Sequence, residues 1–375
     1  MRAKNLPSLT MPAPVEKILV RSVNWLGDAV MTTPALMRLR QARPEARITL
    51  LSPEKLAGLW ERQPFVDEVL TFSGAETVWQ IGRLLRGKGF GAGIAFPNSV
   101  RSALELWLAR IPNRIGAGRG LLLTQSVGRR GGAMEMRKRT ASEVRARVRA
   151  GSQPESVPAE AHHVHHYLHL VGALGASAEP LAPRIDVSAE AMEDVRGKFG
   201  LTRSAGQPWF GLNPGAEYGP AKRWPAERFV EAAVALRRKT NCRWVIFGGA
   251  GDRDLAEKIA HKAGEPILNL AGKTSLRELA AALKLCDLVL TNDTGPMHLA
   301  AAVGARMVAI FGSTSPELTG PIFSPRARIV RQPVPCAPCF LRECPIDLRC
   351  LRGIDPETVV AAATELWHSL QADLE

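Results

Sequence analysis

Leu288-Val-Leu-Thr-Asn-Asp-Thr-Gly-Pro-Met-His298 decides how the rest of this chain reads. A short apolar run ends in Asn292, Asp293, Thr294 and Gly295, and an Ala-rich helical pattern follows from Leu299 to Val303. That order predicts a buried strand, a tight glycine turn and a helix N-terminus. The first amides of a helix point away from it and carry partial positive charge, which suits a phosphate or diphosphate. Asp293 falls where the strand ends, the edge at which open α/β sheets bind ligands. The alternative is that Asp293 and Thr294 cap the helix, as both residue types do in any protein. The companions of the motif decide between the two.

Around this stretch, strand and helix patterns alternate. Strands are expected over 209–212, 243–247, 267–270, 288–291 and 307–311, with helices over 189–199, 226–238, 252–263, 275–285 and 296–303. An amphipathic helix over 357–370 ends the chain. The first half repeats the alternation, with strands over 17–21, 48–51, 66–72 and 91–96 and helices over 53–60, 78–86 and 99–108. A loop is expected over 22–28, with Thr33 and Pro34 fitting an N-cap and first position of the following helix, or with that helix beginning earlier. Such alternation predicts an α/β fold of two doubly wound parallel sheets. A Pro-bearing tail (1–14) precedes a first domain over 15–178, and a second domain runs over 179–375.

Composition supports this. At 375 residues and 46% hydrophobic, the chain is long enough for two ordinary domains with cores of their own. The net charge of +13 favours an anionic partner: nucleic acid, a membrane surface or a phosphorylated ligand. With two Tyr and 6% aromatics, stacking on single-stranded nucleic acid is disfavoured. The first residues lack the apolar core of a secretory signal, and no uncharged run is long enough to span a bilayer. A cytoplasmic protein is expected, with its six Cys as thiols or ligands rather than disulfides.

Further motifs carry chemistry. Asn213-Pro-Gly-Ala-Glu-Tyr-Gly-Pro-Ala-Lys-Arg-Trp-Pro225 follows the first strand of the second half. Gly215 and Gly219 permit close backbone approach, and Lys222 and Arg223 supply the charge that holds a diphosphate without a metal. Phe247-Gly-Gly-Ala-Gly-Asp-Arg-Asp254 is a glycine-rich turn followed by carboxylates suited to ribose hydroxyls. Its glycines do not match the dinucleotide fingerprint, which disfavours a dehydrogenase, and Asp252 as a helix cap is the alternative. Asp28, after Gly27 at the end of the first strand, faces the expected interdomain cleft as a candidate general base.

Three segments stand apart. Residues 129–153 are rich in Arg and read as a solvated basic loop or helix, with docking to an anionic lipid face as the sharper alternative. His162, His163, His165, His166 and His169 read as an exposed helix face, since one helix cannot close a tetrahedral metal site. Cys336, Cys339, Cys344 and Cys350, spaced C-x2-C-x4-C-x5-C, fit a structural metal site or a loop of partly buried thiols equally well.

Taken together, Arg21-Ser-Val-Asn-Trp-Leu-Gly-Asp-Ala-Val-Met-Thr-Thr-Pro34, the 213–225 loop, Ala271-Gly-Lys-Thr-Ser-Leu276 and Asn292-Asp-Thr-Gly-Pro-Met-His298 resemble glycosyltransferase family 9. Four motifs in order make the resemblance specific, and it runs over about 17–357. It implies the GT-B arrangement, two Rossmann-like domains facing a cleft. It implies inverting transfer of heptose from ADP-heptose to a lipid A–core saccharide of lipopolysaccharide, the second heptose onto heptosyl-Kdo2-lipid A. Asp28 matches the family's general base, and Lys222 the lysine on the donor phosphates. Asp293 matches the aspartate near the heptose, Thr294 and Gly295 the diphosphate site, and His298 the motif's histidine. Asp252 falls near the ribose carboxylate, with Asp254 as the alternative, and Thr274 near the adenine pocket. No cofactor is required for transfer, and contact is expected with the inner membrane face but not with nucleic acid. The alternatives are a first-heptose enzyme or another acceptor within the family. From a different class, a metal-bearing nucleic-acid binder is disfavoured, because it leaves the glycine and Asp motifs without purpose.

Overall fold

The computed structural model describes residues 15–372 apart from 119, 129–136, 203, 205 and 265. The tail expected over 1–14 and the start of the basic segment, with Arg129, Arg130, Gly131 and Gly132, lie outside the described residues.

The first sheet is parallel throughout. Its strands are β1 (Lys17–Arg21), β2 (Arg47–Pro53), β3 (Glu68–Phe72), β4 (Ala92–Ala95), β5 (Asn113–Gly116) and β6 (Gln125–Ser126). They stand in the order β3-β2-β1-β4-β5-β6. The register pairs Ile18 with Ile48 and Ala92, and Val20 with Leu50 and Ile94. Side chains alternate across the sheet, and both faces are covered, which is why these strands read as unbroken apolar runs. Ile18, Val20, Ile48 and Leu50 face α1 (Leu26–Met31), α2 (Thr33–Ala42), α3 (Ala57–Trp60) and α7 (His163–Gly172). Leu19 and Leu51 face α4 (Val78–Leu85) and α5 (Val100–Leu108).

The second sheet repeats this plan. Its strands are β7 (Trp209–Asn213), β8 (Arg243–Ile246), β9 (Ile267–Asn269), β10 (Leu288–Asn292), β11 (Met307–Phe311) and β12 (Ala327–Arg331), in the order β12-β11-β10-β7-β8-β9. Renumbered from β7, that is the same 3-2-1-4-5-6 order as the first sheet, so each half has its switch point between its first and fourth strands. Its helices are α8 (Ala189–Phe199), α9 (Ala226–Thr240), α10 (Arg253–Lys262), α11 (Leu276–Leu285), α12 (Gly295–Ala302), α13 (Pro316–Thr319), α14 (Arg349–Arg352) and α15 (Pro356–Ala372).

Three strands escaped the sequence reading: β5, β6 and β12. Asn113-Arg-Ile-Gly116 and Gln125-Ser126 carry one apolar side chain between them, and Ala327-Arg-Ile-Val-Arg331 has the charged alternation of an edge strand. The loop expected over 22–28 is shorter than foreseen. Helix α1 starts at Leu26, with no side chain capping it, so Asp28 stands in a first helical turn.

The basic stretch forms helix α6 (Ala141–Arg149), opened by a Thr140–Glu143 capping box. It packs on the second half. Val144 is buried with Cys336, Cys339 and Cys350, and Arg147 Nε donates to the Pro335 carbonyl at 2.8 Å. All six cysteines are free thiols. Burial pushes the Cys350 thiol up to about 12 and raises Cys336 and Cys339 as well. Among the described residues, no three His, Cys, Asp or Glu side chains are grouped to hold a metal ion.

Candidate active site

The site starts at the end of β1. Arg21 is buried, and its Nε donates to Glu105 Oε2 at 2.8 Å. Its Nη1 donates to Asn24 Oδ1 at 3.2 Å, and the guanidinium lies 4.3 Å from the centre of the Phe72 ring. The second Glu105 oxygen accepts from Arg101 Nε at 3.0 Å. This buried pair fixes the turn that delivers α1, and α1 carries Asp28.

Helix α1 packs directly on α12 of the other half. Glycine permits the approach: a Cβ on Gly27 would stand 2.7 Å from His298 Cδ2, and one on Gly295 would stand 2.9 Å from Leu26 Cβ. The glycine read as a phosphate-binding turn thus also serves contact between the halves.

Asp28 is about a third exposed, beneath groups from both halves. Helix α7 supplies two of them, one turn apart. His163 Nδ1 lies 4.0 Å from Asp28 Oδ1, and buried Tyr167 adds its phenol. Burial lowers His163 to about 4, so at neutral pH this contact is not an ion pair. Burial also raises the Asp28 carboxyl from the usual carboxylate range to about 6; Lys222 pulls it down and Asp293 pushes it up.

From the second half, Lys222 Nζ lies 2.7 Å from Asp293 Oδ2, and Asp293 is almost wholly buried. Thr314 Oγ1 donates to the same oxygen at 2.5 Å. Asn213 Nδ2 donates to Thr294 Oγ1 at 2.8 Å and to Thr291 Oγ1 at 3.0 Å. The Thr294 side chain therefore makes no cap bond to α12. Asn292 locks the neighbouring loop, accepting from Trp224 N at 3.0 Å and donating to the Pro214 carbonyl at 2.7 Å. His298, buried behind Gly27, is lowered to about 4 and stays neutral.

Along the second sheet the motifs follow strand order. Asp293 stands after β10, Lys222 after β7, Asp252 after β8 and Thr274 after β9, so four adjacent strand ends form one row. Asp252 caps the turn ahead of α10, its Oδ2 accepting from Gly249 N at 3.0 Å, and its Oδ1 lies 3.6 Å from Arg223 Nη2. The carboxylate thus closes the preceding turn and makes no side-chain cap bond to α10, and it stands beside a cation from the 213–225 loop. Asp254 is exposed in the next turn. Gly272 N donates to the Gly248 carbonyl at 2.9 Å, which holds the Thr274 loop against the Asp252 turn. The structure gathers Asp28, Lys222, Asp293, Thr294, Gly295 and His298 at one point, and sets Asp252 and Thr274 further along the row.

Sequence reasoning missed several neighbours. Tyr218 lies under three cations, with Lys222 Nζ at 5.0 Å, Arg342 Cζ at 5.3 Å and Lys138 Nζ at 5.7 Å from the ring centre. Lys138 and Arg342 come from the basic and Cys-rich segments, whose convergence no local pattern reveals. The histidine run is also not the exposed face that was expected. His162 is buried, its Nδ1 accepting from Val164 N at 3.2 Å and its Nε2 lying 2.9 Å from the Gly320 carbonyl. The spacing of His163 and Tyr167, four apart on one helix, was the available signal.

The chain is similar to proteins of known family. The family model for glycosyltransferase family 9 (heptosyltransferase) matches residues 131–349. Lipopolysaccharide heptosyltransferase 2 of Escherichia coli K12 is 33% identical, over 84% of this chain and 88% of that protein. Lipooligosaccharide heptosyltransferase 2 of Haemophilus ducreyi is 31% identical over the same shares. The solved E. coli ADP-heptose LPS heptosyltransferase II superposes with a TM-score of 0.74 at 28% identity, covering 95% of this chain and 99% of that one. Family match, relatives aligned over most of their length and doubly wound halves agree: this chain is a glycosyltransferase and belongs to glycosyltransferase family 9.

Proposed function

We propose that this chain transfers heptose from ADP-heptose to a lipid A–core saccharide of lipopolysaccharide, as the second heptosyltransferase acting on heptosyl-Kdo2-lipid A. The observation that carries the reading is the meeting of Asp28, from the first half, with the Lys222–Asp293 pair of the second. In this reading the adenosine end of the donor lies over Thr274 and Asp252, and the diphosphate lies by Lys222 and the Thr294–Gly295 amides. The heptose then reaches Asp293, opposite Asp28. Asp28 takes the proton of the acceptor hydroxyl, whose oxygen attacks the anomeric carbon. The bond to the diphosphate breaks on the opposite side and ADP leaves, so configuration inverts. Positive charge and helix amides on the leaving side stabilise the departing ADP, and the scheme needs no metal ion. The acceptor's lipid anchor places the enzyme at the inner membrane face in the cytoplasm. Nucleic acid has no part in the scheme.

The test is ADP release from ADP-heptose, with Kdo2-lipid A and heptosyl-Kdo2-lipid A offered separately, with and without EDTA. Release with the heptosylated acceptor alone, unchanged by EDTA, is expected. Release with the unheptosylated acceptor assigns the first transfer instead. Loss in EDTA that a divalent ion restores overturns the metal-free scheme.

A further inference from the structure

The first half exposes an unusual set of large apolar side chains on one helical layer. Helices α4 and α5 lie side by side on the Leu19–Leu51 face of the first sheet. Arg101 Nη2 donates to the Glu76 carbonyl at 2.6 Å, joining the starts of the two helices, and Arg86 Nη2 donates to the Leu108 carbonyl at 3.1 Å near their ends. The helices therefore run in the same direction. Their inner faces bury Ile81, Leu85 and Leu106.

Their outer faces are apolar as well. Trp79 on α4 is 67% exposed and Val100 at the start of α5 is 75% exposed. Trp107 is 47% exposed, one heptad after Val100 and so on the same side, with half-buried Leu104 between them. Leu121, 97% exposed, stands on the loop that passes Asn98 just ahead of α5. Side chains of this size, gathered together, mark an interaction surface.

The charge around them selects the partner. Between Val78 and Arg114 stand Arg83, Arg86, Lys88, Arg101, Arg110 and Arg114, against a single carboxylate, Glu105. Glu105 is fully buried and spent on Arg21 and Arg101, so it presents no negative charge outward. Arg101 is paired with Glu105, and two tryptophans among the remaining cations suit the interface of an anionic bilayer, where indoles sit at headgroup depth and cations meet lipid phosphates. Position agrees too. Phe96 N donates to the Arg21 carbonyl at 3.1 Å, so the turn entering α5 adjoins the turn that delivers Asp28.

We infer that the outer face of α4 and α5, with Leu121, docks on an anionic lipid surface and presents the acceptor edge of the cleft to it. This rests on the lipid-linked acceptor proposed above. It also moves the lipid-facing surface away from the basic segment, since α6 is applied to the second half.

The experiment is co-sedimentation with vesicles of phosphatidylethanolamine and phosphatidylglycerol, against vesicles of phosphatidylcholine alone. Binding to the anionic vesicles is expected. Trp79→Ser with Val100→Ser, and separately Arg83→Glu, are each expected to weaken it roughly tenfold. These side chains are exposed, so ADP release with a water-soluble, delipidated acceptor should be unchanged. No binding by the wild type, or equal binding by the variants, overturns the inference. So does a wild-type dimer that the variants convert to monomer, because a second copy of the chain would then cover the face. If the wild type binds vesicles but turns over no acceptor, the proposed transfer fails while the docking surface stands.

Discussion

Asp28 is where chemistry and stability pull against each other. Its folded-state pKa, about 6, lies above that of an exposed Asp because burial disfavours the anion. A carboxyl raised in this way favours the folded state most below its unfolded pKa, and that contribution is lost as pH rises through 6. At neutral pH the anion thus costs stability, on the order of 1 kcal/mol once partial exposure is discounted. Asp28→Asn is expected to abolish ADP release while raising thermal stability slightly at neutral pH, a gain that vanishes below about pH 4. The wild-type rate should fall on the acid side near pH 6, measured in short assays because half-buried His163 and buried His298, both held neutral, add acid instability of their own. An active Asn variant would remove Asp28 as the base. Lys222 needs a different design. Asp293 is buried beside it, so Lys222→Ala strands a carboxylate at a cost of about 3–5 kcal/mol. Adding Asp293→Asn is expected to restore most of that stability but none of the turnover. Recovery of turnover would show that Lys222 serves the fold alone. Asp28, Lys222 and Asp293 were legible in the sequence because each follows a strand at a glycine or proline turn. His163 and Tyr167 left only their four-residue spacing and Tyr218 left no local signal, because their roles arise only when distant segments meet.

At the scale of elements, the contact of α1 with α12 is the joint on which the site depends. Gly27 has no room for a methyl group: its Cβ would meet His298, itself wedged in the core. Gly27→Ala is expected to cost about 1–3 kcal/mol by overpacking and to shift Asp28 from its place. The chemical step should slow while ADP affinity is largely kept, because the donor row belongs to the second half. Full turnover with an unchanged melting temperature would show that the joint yields freely. The same joint explains a boundary that the sequence left vague. Helix α1 begins at Leu26 without a capping side chain, and packing on α12 holds it where a local signal would otherwise be needed. The buried strands and their crossover helices were legible because strands covered on both faces are apolar without interruption. The interior strand β5 and the edge strands β6 and β12 carry too few apolar residues to stand out.

For the whole molecule, two halves of equal strand order must present their switch points to one another, and the chain ties them together more than once. The linker before α8 is one tie, and α6 is another. After β6 the chain crosses to the second half, where Arg139 N donates to the Cys339 carbonyl at 3.0 Å and Arg145 Nη2 to the Pro345 carbonyl at 3.3 Å. It then returns to the first sheet in α7, which carries His163 and Tyr167 to Asp28. The excursion thus links the Cys336–Cys350 segment to the base, and on the way Lys138 meets the Tyr218 ring beside Lys222. Its anchor is Val144, the one residue of α6 that is fully buried. Val144→Asp places an unpaired carboxylate among Cys336, Cys339 and Leu351, with a loss of roughly 2–4 kcal/mol. If α6 is a strap, its helix should release while both sheets persist. Trypsin should then cut at Arg145, Arg147 and Arg149, read by mass spectrometry, well before the remainder of the chain unfolds. ADP should still protect the second half, because the row of strand ends belongs to the β7–β12 sheet, while transfer slows as α7 loses its upstream tether. Cutting at these arginines only in step with global unfolding would mean that α6 belongs to one cooperative core with both sheets, and that the halves cannot move apart through it.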